Sequence, residues 1–475
     1  MNPKRLILLL DGTWNDKEFS NSDTNIVRIQ QALVKSLGGE ETRRKAKPVS
    51  NETTKLVQSF VSGEDRENFV FYQRGIGTGG LDRYSGGIFG DGLDRNIRNA
   101  YKFISYWYEP GDQIFVFGFS RGAFTARSLI GFIAASGLLR RETCTAENES
   151  IAWGYYRTPP DQRLPGIYVQ LQPHVHERER LQIDCVAVFD TVGALGIPFQ
   201  RFDRINRDKY SFHNVDLSSI TKVNLQALAI DEHRTAFEAT IWRKPQFKRY
   251  TSKTEQVWFP GSHSDVGGGL IPDHEREADN VLGLDDIALD WLLKRVTHHF
   301  PDVPFRRTAW RATDSQWAGA VQHEGREGPY RLEPLAYRCI ANHRTQNLAF
   351  REGAVCYDRH AETIGEMIHI SALERLGAPI AIGGKATVYR PKNLLCVLGL
   401  VRETYGGSGR RAPGGVHVVD WSGHTLSPAN EKHRKRVNEL IDRCLPSPDG
   451  IDSHSRQTSP PPLGRASEKT ESTTA

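Results

Sequence analysis

The sequence predicts an α/β protein: a mostly parallel central sheet flanked by helices, with insertions and a disordered C-terminal tail. Three observations carry this. Short apolar segments of strand length recur along the first 260 residues, as at Arg5–Leu10, Phe69–Gln73, Ile114–Phe117 and Ile183–Phe189. Segments with apolar residues at steps of three and four lie between several of them, which is the helical period. Polar residues suited to acyl-transfer chemistry, Ser120, Asp190 and His263, each end or closely follow a strand-like segment.

Arg5–Leu10 is apolar enough for a central strand buried on both faces, and Asp11-Gly12-Thr13-Trp14-Asn15 follows it as a polar turn. That turn reads equally as a simple strand end or as backbone amides facing a ligand. Ile26, Ile29, Leu33 and Leu37 share one face of a helix over 23–37, and 38–54 is polar loop. After the strand at Phe69–Gln73, the glycines of Gly75 to Gly80 raise the alternative of a phosphate cradle. No G-K-[ST] follows them, the spacing is not G-x-G-x-x-G, and no periodic helix opens there. Gly86, Gly87, Gly90 and Gly92 extend this as a flexible loop. Leu93, Ile97, Ala100, Ile104 and Trp107 then mark a helix that Pro110-Gly111-Asp112 ends. The buried strand Ile114–Phe117, continued by Phe119, runs into Ser120, and a helix with Phe124, Leu129, Ile130 and Ile133 follows until Gly137.

Residues 142–181 are polar and irregular, with scattered aromatics, and read as a cap over a site or a surface elaboration. Ile183–Phe189 is the next buried strand and ends in Asp190. Val223, Leu225, Leu228 and Ala229 give 221–232 a helical spacing, and Val257–Phe259 is a short strand followed by a small-residue loop carrying His263. Leu284–Val296 is a helix with Asp285 and Asp286 in its first turn. Beyond it, 368–376 reads as helical, 393–401 as buried and 431–444 as a final helix. After Leu445 the chain turns to Ser, Pro, Thr and charge, the composition of a disordered tail. The organisation expected is a catalytic domain over 1–300 with its insertion around 142–181, an extension over 301–445 packed on it, and a tail over 446–475.

Composition excludes several classes. The 62 basic and 57 acidic residues leave a net charge of +5 with no concentrated basic block beyond 431–436, so nucleic acid is not an expected partner. Six cysteines stand far apart with no C-x-x-C pair, which favours separate thiols in a reducing compartment over a disulfide framework or a zinc site. The apolar run Leu6–Leu10 is too short for a signal-peptide core, and no run approaches the ~18 apolar residues of a spanning helix. A soluble protein is expected, cytoplasmic or exported without a signal peptide.

Gly118-Phe119-Ser120-Arg121-Gly122 fits G-x-S-x-G in the strand-turn-helix setting that the motif needs, where the glycines relieve the crowding around a serine in a strained turn. The chain order Ser120, Asp190, His263 is the α/β-hydrolase order. His263 would take the proton of Ser120, with Asp190 orienting the imidazole. Oxyanion donors are expected from the Arg121 amide and from Gly12 or Thr13. His213 and His233 are rival bases, Asp265 a rival acid, and a metal half-site at His263 and Asp265 lacks companion ligands at a recognisable spacing.

The blocks LLLDGTWN, QRGIGTG, GFSRGAFTAR, FDTVGALG and HSDVGGG, in order from Leu8 to Gly269, resemble the α/β-hydrolase-fold family that includes phospholipase effectors of bacterial type VI secretion and many fungal members. IHISALERL and YRPKNL are weaker matches. The resemblance implies Ser120 as nucleophile, Asp190 as acid and His263 as base. It also implies lipid or other carboxylic esters as substrate, and peripheral membrane contact accords with it. No cofactor is expected. The other readings left open are a non-catalytic interaction scaffold and a phosphate- or nucleotide-binding protein.

Overall fold

A computed structural model describes residues 3–12, 22–38, 42–44, 57–61, 67–75, 86–193, 216–245, 250–272, 275–276, 281–341, 355–356, 362–406 and 415–443. Thr13 to Asn15, Ile76 to Gly80, Ala194 to Gly196, His213 and the tail beyond Leu445 lie outside them.

The first 260 residues supply strands β1 (Arg5–Leu10), β2 (Thr42–Arg44), β3 (Val57–Val61), β4 (Glu67–Gln73), β5 (Gln113–Phe119), β6 (Ile183–Phe189), β7 (Thr221–Ala229) and β8 (Lys253–Phe259). Two-stranded pairings join β9 (Ala336–Tyr337) to β10 (Val355–Cys356), and β12 (Pro379–Ile382) to β13 (Lys385–Val388). Strands β11 (Glu366–His369) and β14 (His417–Val419) join the main sheet. Its order is β14-β11-β8-β7-β6-β5-β1-β4-β3-β2. The eight strands from β14 to β4 are parallel, and β3 and β2 continue antiparallel at the edge. Residues beyond 300 therefore extend the same sheet that residues 1–300 build.

Strand period explains how this sheet is covered. Leu6 and Leu8 face one side with Ile114 and Val116, and meet α2 (Gly86–Trp107) and α3 (Arg121–Ser136). Ile7 and Leu9 face the other with Phe115 and Phe117, and meet α1 (Asn25–Ser36) and the later helix Leu284–His299. A third cluster packs Trp258 and Ile368 against the C-terminal helices Ile370–Arg375, Lys392–Tyr405 and Glu431–Asp442. Among the described residues, no helix is long and apolar enough to cross a membrane. Cys144, Cys185, Cys339 and Cys396 are thiols rather than disulfide halves.

Several sequence expectations are corrected. Residues 221–229 form a central strand, not a helix, because β6 and β8 bind it on both edges and context overrides the helix preference of its Leu, Gln and Ala residues. The glycines expected as a loop at 86–92 open α2, since extending a nucleated helix costs little beside starting one. Residues 142–181 are largely helical, as α4 (Ala146–Arg157) and α5 (Pro165–Leu171), and Trp153 and Tyr156 pack on Phe132 near the far end of α3. The 368–376 helix is split: Ile368 pairs with Trp258 in the sheet, and the His369 ring then caps the helix that follows by accepting from the Ser371 amide.

Topology places the site. After β1 the chain forms β2 at the edge, returns inward through β3 to β4 beside β1, and then builds outward from β5 through β8 on the other side of β1, so the order reverses between β1 and β5. Ligands of open parallel sheets bind beyond the carboxyl ends at such a reversal. Gly12 and Ser120 meet there: a Cβ on Gly12 would lie 3.3 Å from the Ser120 Cβ.

Candidate active site

Ser120 stands between the last residue of β5 and the first of α3, with φ 56° and ψ −121°. This backbone costs a non-glycine residue about 1–3 kcal/mol and persists because its surroundings hold it. Its amide donates to the Phe189 carbonyl at 3.1 Å and its carbonyl accepts from the Phe124 amide at 3.1 Å. The flanking glycines are sterically required. A Cβ on Gly118 would lie 2.7 Å from the Ala123 Cα, and one on Gly122 would lie 2.1 Å from the Leu10 carbonyl oxygen.

Asp190 follows β6 at φ 39°, fully buried, its amide donating to the Ala227 carbonyl at 2.7 Å. His263 opens a five-residue helix, α6 (His263–Gly267), where a loop was expected. Asp265 stabilises that turn by accepting from the Ser262 amide at 2.9 Å and its hydroxyl at 3.0 Å. Gly267 has no room for a side chain, because a Cβ there would overlap the Phe119 ring at 1.9 Å.

These elements bring three of the expected residues together. His263 Nδ1 lies 2.6 Å from Asp190 Oδ2, and His263 Nε2 lies 2.8 Å from Ser120 Oγ. The imidazole is buried between the rings of Phe119 and Phe237, at 4.7 and 5.0 Å between centroids. Burial lowers its basicity and the Asp190 carboxylate opposes that, the net shift being downward. For Asp190, burial pushes the carboxyl up, but Arg338 and His263 outweigh it and hold it below the usual carboxylate range.

The rivals His233 and Asp265 are occupied elsewhere. His233 Nδ1 meets the Ala336 carbonyl at 2.9 Å, and Asp265 bonds His323 Nδ1 at 2.6 Å. Of the expected oxyanion donors, the Arg121 amide belongs to the first turn of α3, where amides lack intrahelical acceptors. The Gly12 amide instead donates to Asp11 Oδ1 at 2.7 Å, and Thr13 lies outside the described residues. Asp11 itself is buried, and burial raises its carboxyl to about 6 against the opposing bonds from Tyr72, Thr24 and Gly12.

Several residues around this arrangement have no local sequence signal. Arg338 forks onto both Asp190 oxygens, at 2.6 and 3.0 Å. Asp231 and Glu232, just past β7, hold the His263 loop by accepting from the Gly261 amide at 2.7 Å and the His263 amide at 3.2 Å. Burial pushes Glu232 up, but the paired Arg234 outweighs it and holds this carboxyl well below its ordinary range. Reading 221–232 as a helix concealed the strand end that carries both acids.

Residues 4–295 match the family described as the type VI secretion phospholipase effector, Tle1-like, catalytic domain. The chain belongs to this family. The matched residues include Ser120, Asp190 and His263. The Tle1-like chain is also similar to the uncharacterized protein YEL023C of Saccharomyces cerevisiae, with 27% identity over 250 residues, 48% of this chain and 34% of the yeast protein. Among solved structures, the Tle1 effector bound to the VgrG spike of the type VI secretion system is similar at 18% identity, over 56% of this chain and 51% of that one, with a TM-score of 0.27. An uncharacterized protein from Pseudomonas aeruginosa is similar at 15% identity, over 93% and 59% of the two chains, with a TM-score of 0.39. The chain thus spans about a third of the yeast relative and half of the Tle1 effector.

The Asp265–His323 pair yields a pH prediction. Burial lowers His323, but Asp265 outweighs it and raises the imidazole above its ordinary 6.5. A raised folded-state value means that the pair's stabilisation is fully present below 6.5 and is lost as pH rises through the folded value. His323→Gln should remove that decline, so the drop in Tm between pH 6 and pH 9 should be smaller in the variant. An equal drop would assign the pH dependence to other groups.

Proposed function

We propose that this chain is a serine hydrolase of carboxylic esters, with Ser120 as nucleophile, His263 as general base and Asp190 as the acid that orients it. The observation that carries the reading is the unbroken hydrogen-bond chain from Asp190 Oδ2 through both His263 nitrogens to Ser120 Oγ. Asp190 accepts from Nδ1–H, which leaves the Nε2 lone pair facing the serine hydroxyl. As the Ser120 oxygen attacks the ester carbonyl, its proton passes to Nε2. The same proton returns to the departing alcohol, and water repeats the cycle on the acyl-enzyme. The Arg121 amide supports the developing oxyanion, adjacent to the nucleophile as the motif requires.

Phospholipid or another lipid ester is the proposed substrate class, on the strength of the family description. An activity-based fluorophosphonate probe tests the chemistry directly. Labelling of the wild-type chain that disappears in Ser120→Ala is the expected result; a folded wild type that takes no label leaves a non-catalytic scaffold. Release of fatty acid from phospholipid vesicles, compared with neutral glycerides and short-chain esters, tests the substrate class.

A further inference from the structure

The acid end of the proposed triad is not held by backbone amides alone. Arg338 is 1% exposed and lies outside the family-matched residues 4–295, on the segment that follows β9. Its Nη1 donates to Asp190 Oδ1 at 2.6 Å and to the Ala229 carbonyl at 2.9 Å. Its Nη2 donates to Asp190 Oδ2 at 3.0 Å and to the Phe237 carbonyl at 2.7 Å. One guanidinium therefore ties the triad acid to the end of β7 and to the turn whose Phe237 ring lies against His263. Asn393 secures the Arg338 backbone by donating to its carbonyl at 3.3 Å and to the Ile230 carbonyl at 3.0 Å.

We propose that Arg338 is a positioning residue for the reaction, fixing the Asp190 carboxylate and offsetting its charge so that His263 stays neutral, and able to accept a proton, into the acidic range. This deepens the hydrolase reading and rests on it. Two features distinguish it from simple structural burial. Both carboxylate oxygens are engaged by the planar fork, so the carboxylate cannot rotate away from Nδ1. The buried guanidinium also faces the same carboxylate as the imidazole, so protonating His263 adds a second cation beside one that is already paired. The other charged groups around the imidazole are the ion-paired Glu232 and Arg234 beyond β7, Arg121 beside the nucleophile on α3, and Asp265 on α6 with its partner His323.

The test is the pH profile of kcat/KM on p-nitrophenyl butyrate from pH 5 to 9, with active sites titrated by fluorophosphonate, for wild type, Arg338→Met and Arg338→Lys. For Arg338→Met, we expect the acid limb to move up by about one pH unit or more, because Asp190 is left with an uncompensated charge or takes up a proton. Turnover per titrated site should fall roughly 100-fold with KM within a few-fold. Arg338→Lys keeps a cation without the fork. Its acid limb should stay near that of wild type while kcat falls about 10-fold. If Arg338→Met does not fold, the lysine variant decides: wild-type kcat per titrated site overturns the positioning role. A folded Arg338→Met with a lower Tm but an unmoved acid limb and unchanged turnover per site also overturns it. An unlabelled, inactive wild type removes the hydrolase reading itself, and this proposal with it.

Discussion

His263→Ala is expected to lower kcat/KM for a carboxylic ester by about 10⁵-fold or more while leaving a folded protein. Among the described residues the two ring nitrogens bond within the proposed triad, to Asp190 and Ser120, so truncation removes the proton acceptor without cutting a strand or helix. Asp190 is not orphaned by the change, because Arg338 still donates to both of its oxygens and the Ala229 amide to Oδ1 at 3.0 Å. Asp190→Asn behaves differently. It removes the anion that a fully buried guanidinium needs, so a loss of about 3–5 kcal/mol of stability should accompany a fall in turnover of about 10⁴-fold. Urea denaturation and steady-state kinetics on the two variants separate these effects. Near-wild-type hydrolysis by His263→Ala would move the general base away from this residue.

The contrast between those two acidic and basic partners also marks how far the sequence could be read. Ser120 and His263 sit in local patterns whose glycines have a steric job, and steric jobs leave motifs: Gly118 and Gly122 clear the elbow, and Gly267 makes room for Phe119. The parallel α/β fold was legible for a related reason. Central strands such as β1, β5 and β6 are apolar on both faces, and runs of that length have few other uses. β7 carried a contrary signal. Its apolar residues satisfy a helical spacing, while Val223, Leu225, Ala227 and Ala229 also repeat with the strand period on one face, and only pairing with β6 and β8 decides between them. Buried Asn224 and Gln226 obscure the strand further; Gln226 accepts from Arg127 at 3.1 Å and from Thr191 at 3.0 Å, contacts that no local pattern reveals. Arg338 is the extreme case. A single arginine in a mixed stretch becomes the main cationic partner of Asp190 only through folding across 148 residues of chain.

Gly122→Ala should be the most disruptive single-methyl change at the elbow, costing about 4 kcal/mol or more and abolishing fluorophosphonate labelling of whatever folds. The added Cβ would meet the main chain at the end of β1: the Leu10 carbonyl oxygen at 2.1 Å, the Leu10 carbonyl carbon at 2.5 Å and the Asp11 carbonyl oxygen at 2.6 Å. No side-chain rotation relieves contacts with main chain. Relief requires α3 to move away from the end of β1, and that movement breaks the crossover at which Gly12 and Ser120 meet. Because Ser120 already occupies a costly backbone region, the nucleophile has little conformational freedom with which to absorb the shift. Gly154→Ala is the matched control. Gly154 lies exposed within α4, its added Cβ meets nothing within 4 Å, and alanine there should stabilise by about 0.5–1 kcal/mol. Urea denaturation of both variants reads the difference, and equal stabilities would mean that the elbow does not press against β1 as tightly as these distances require.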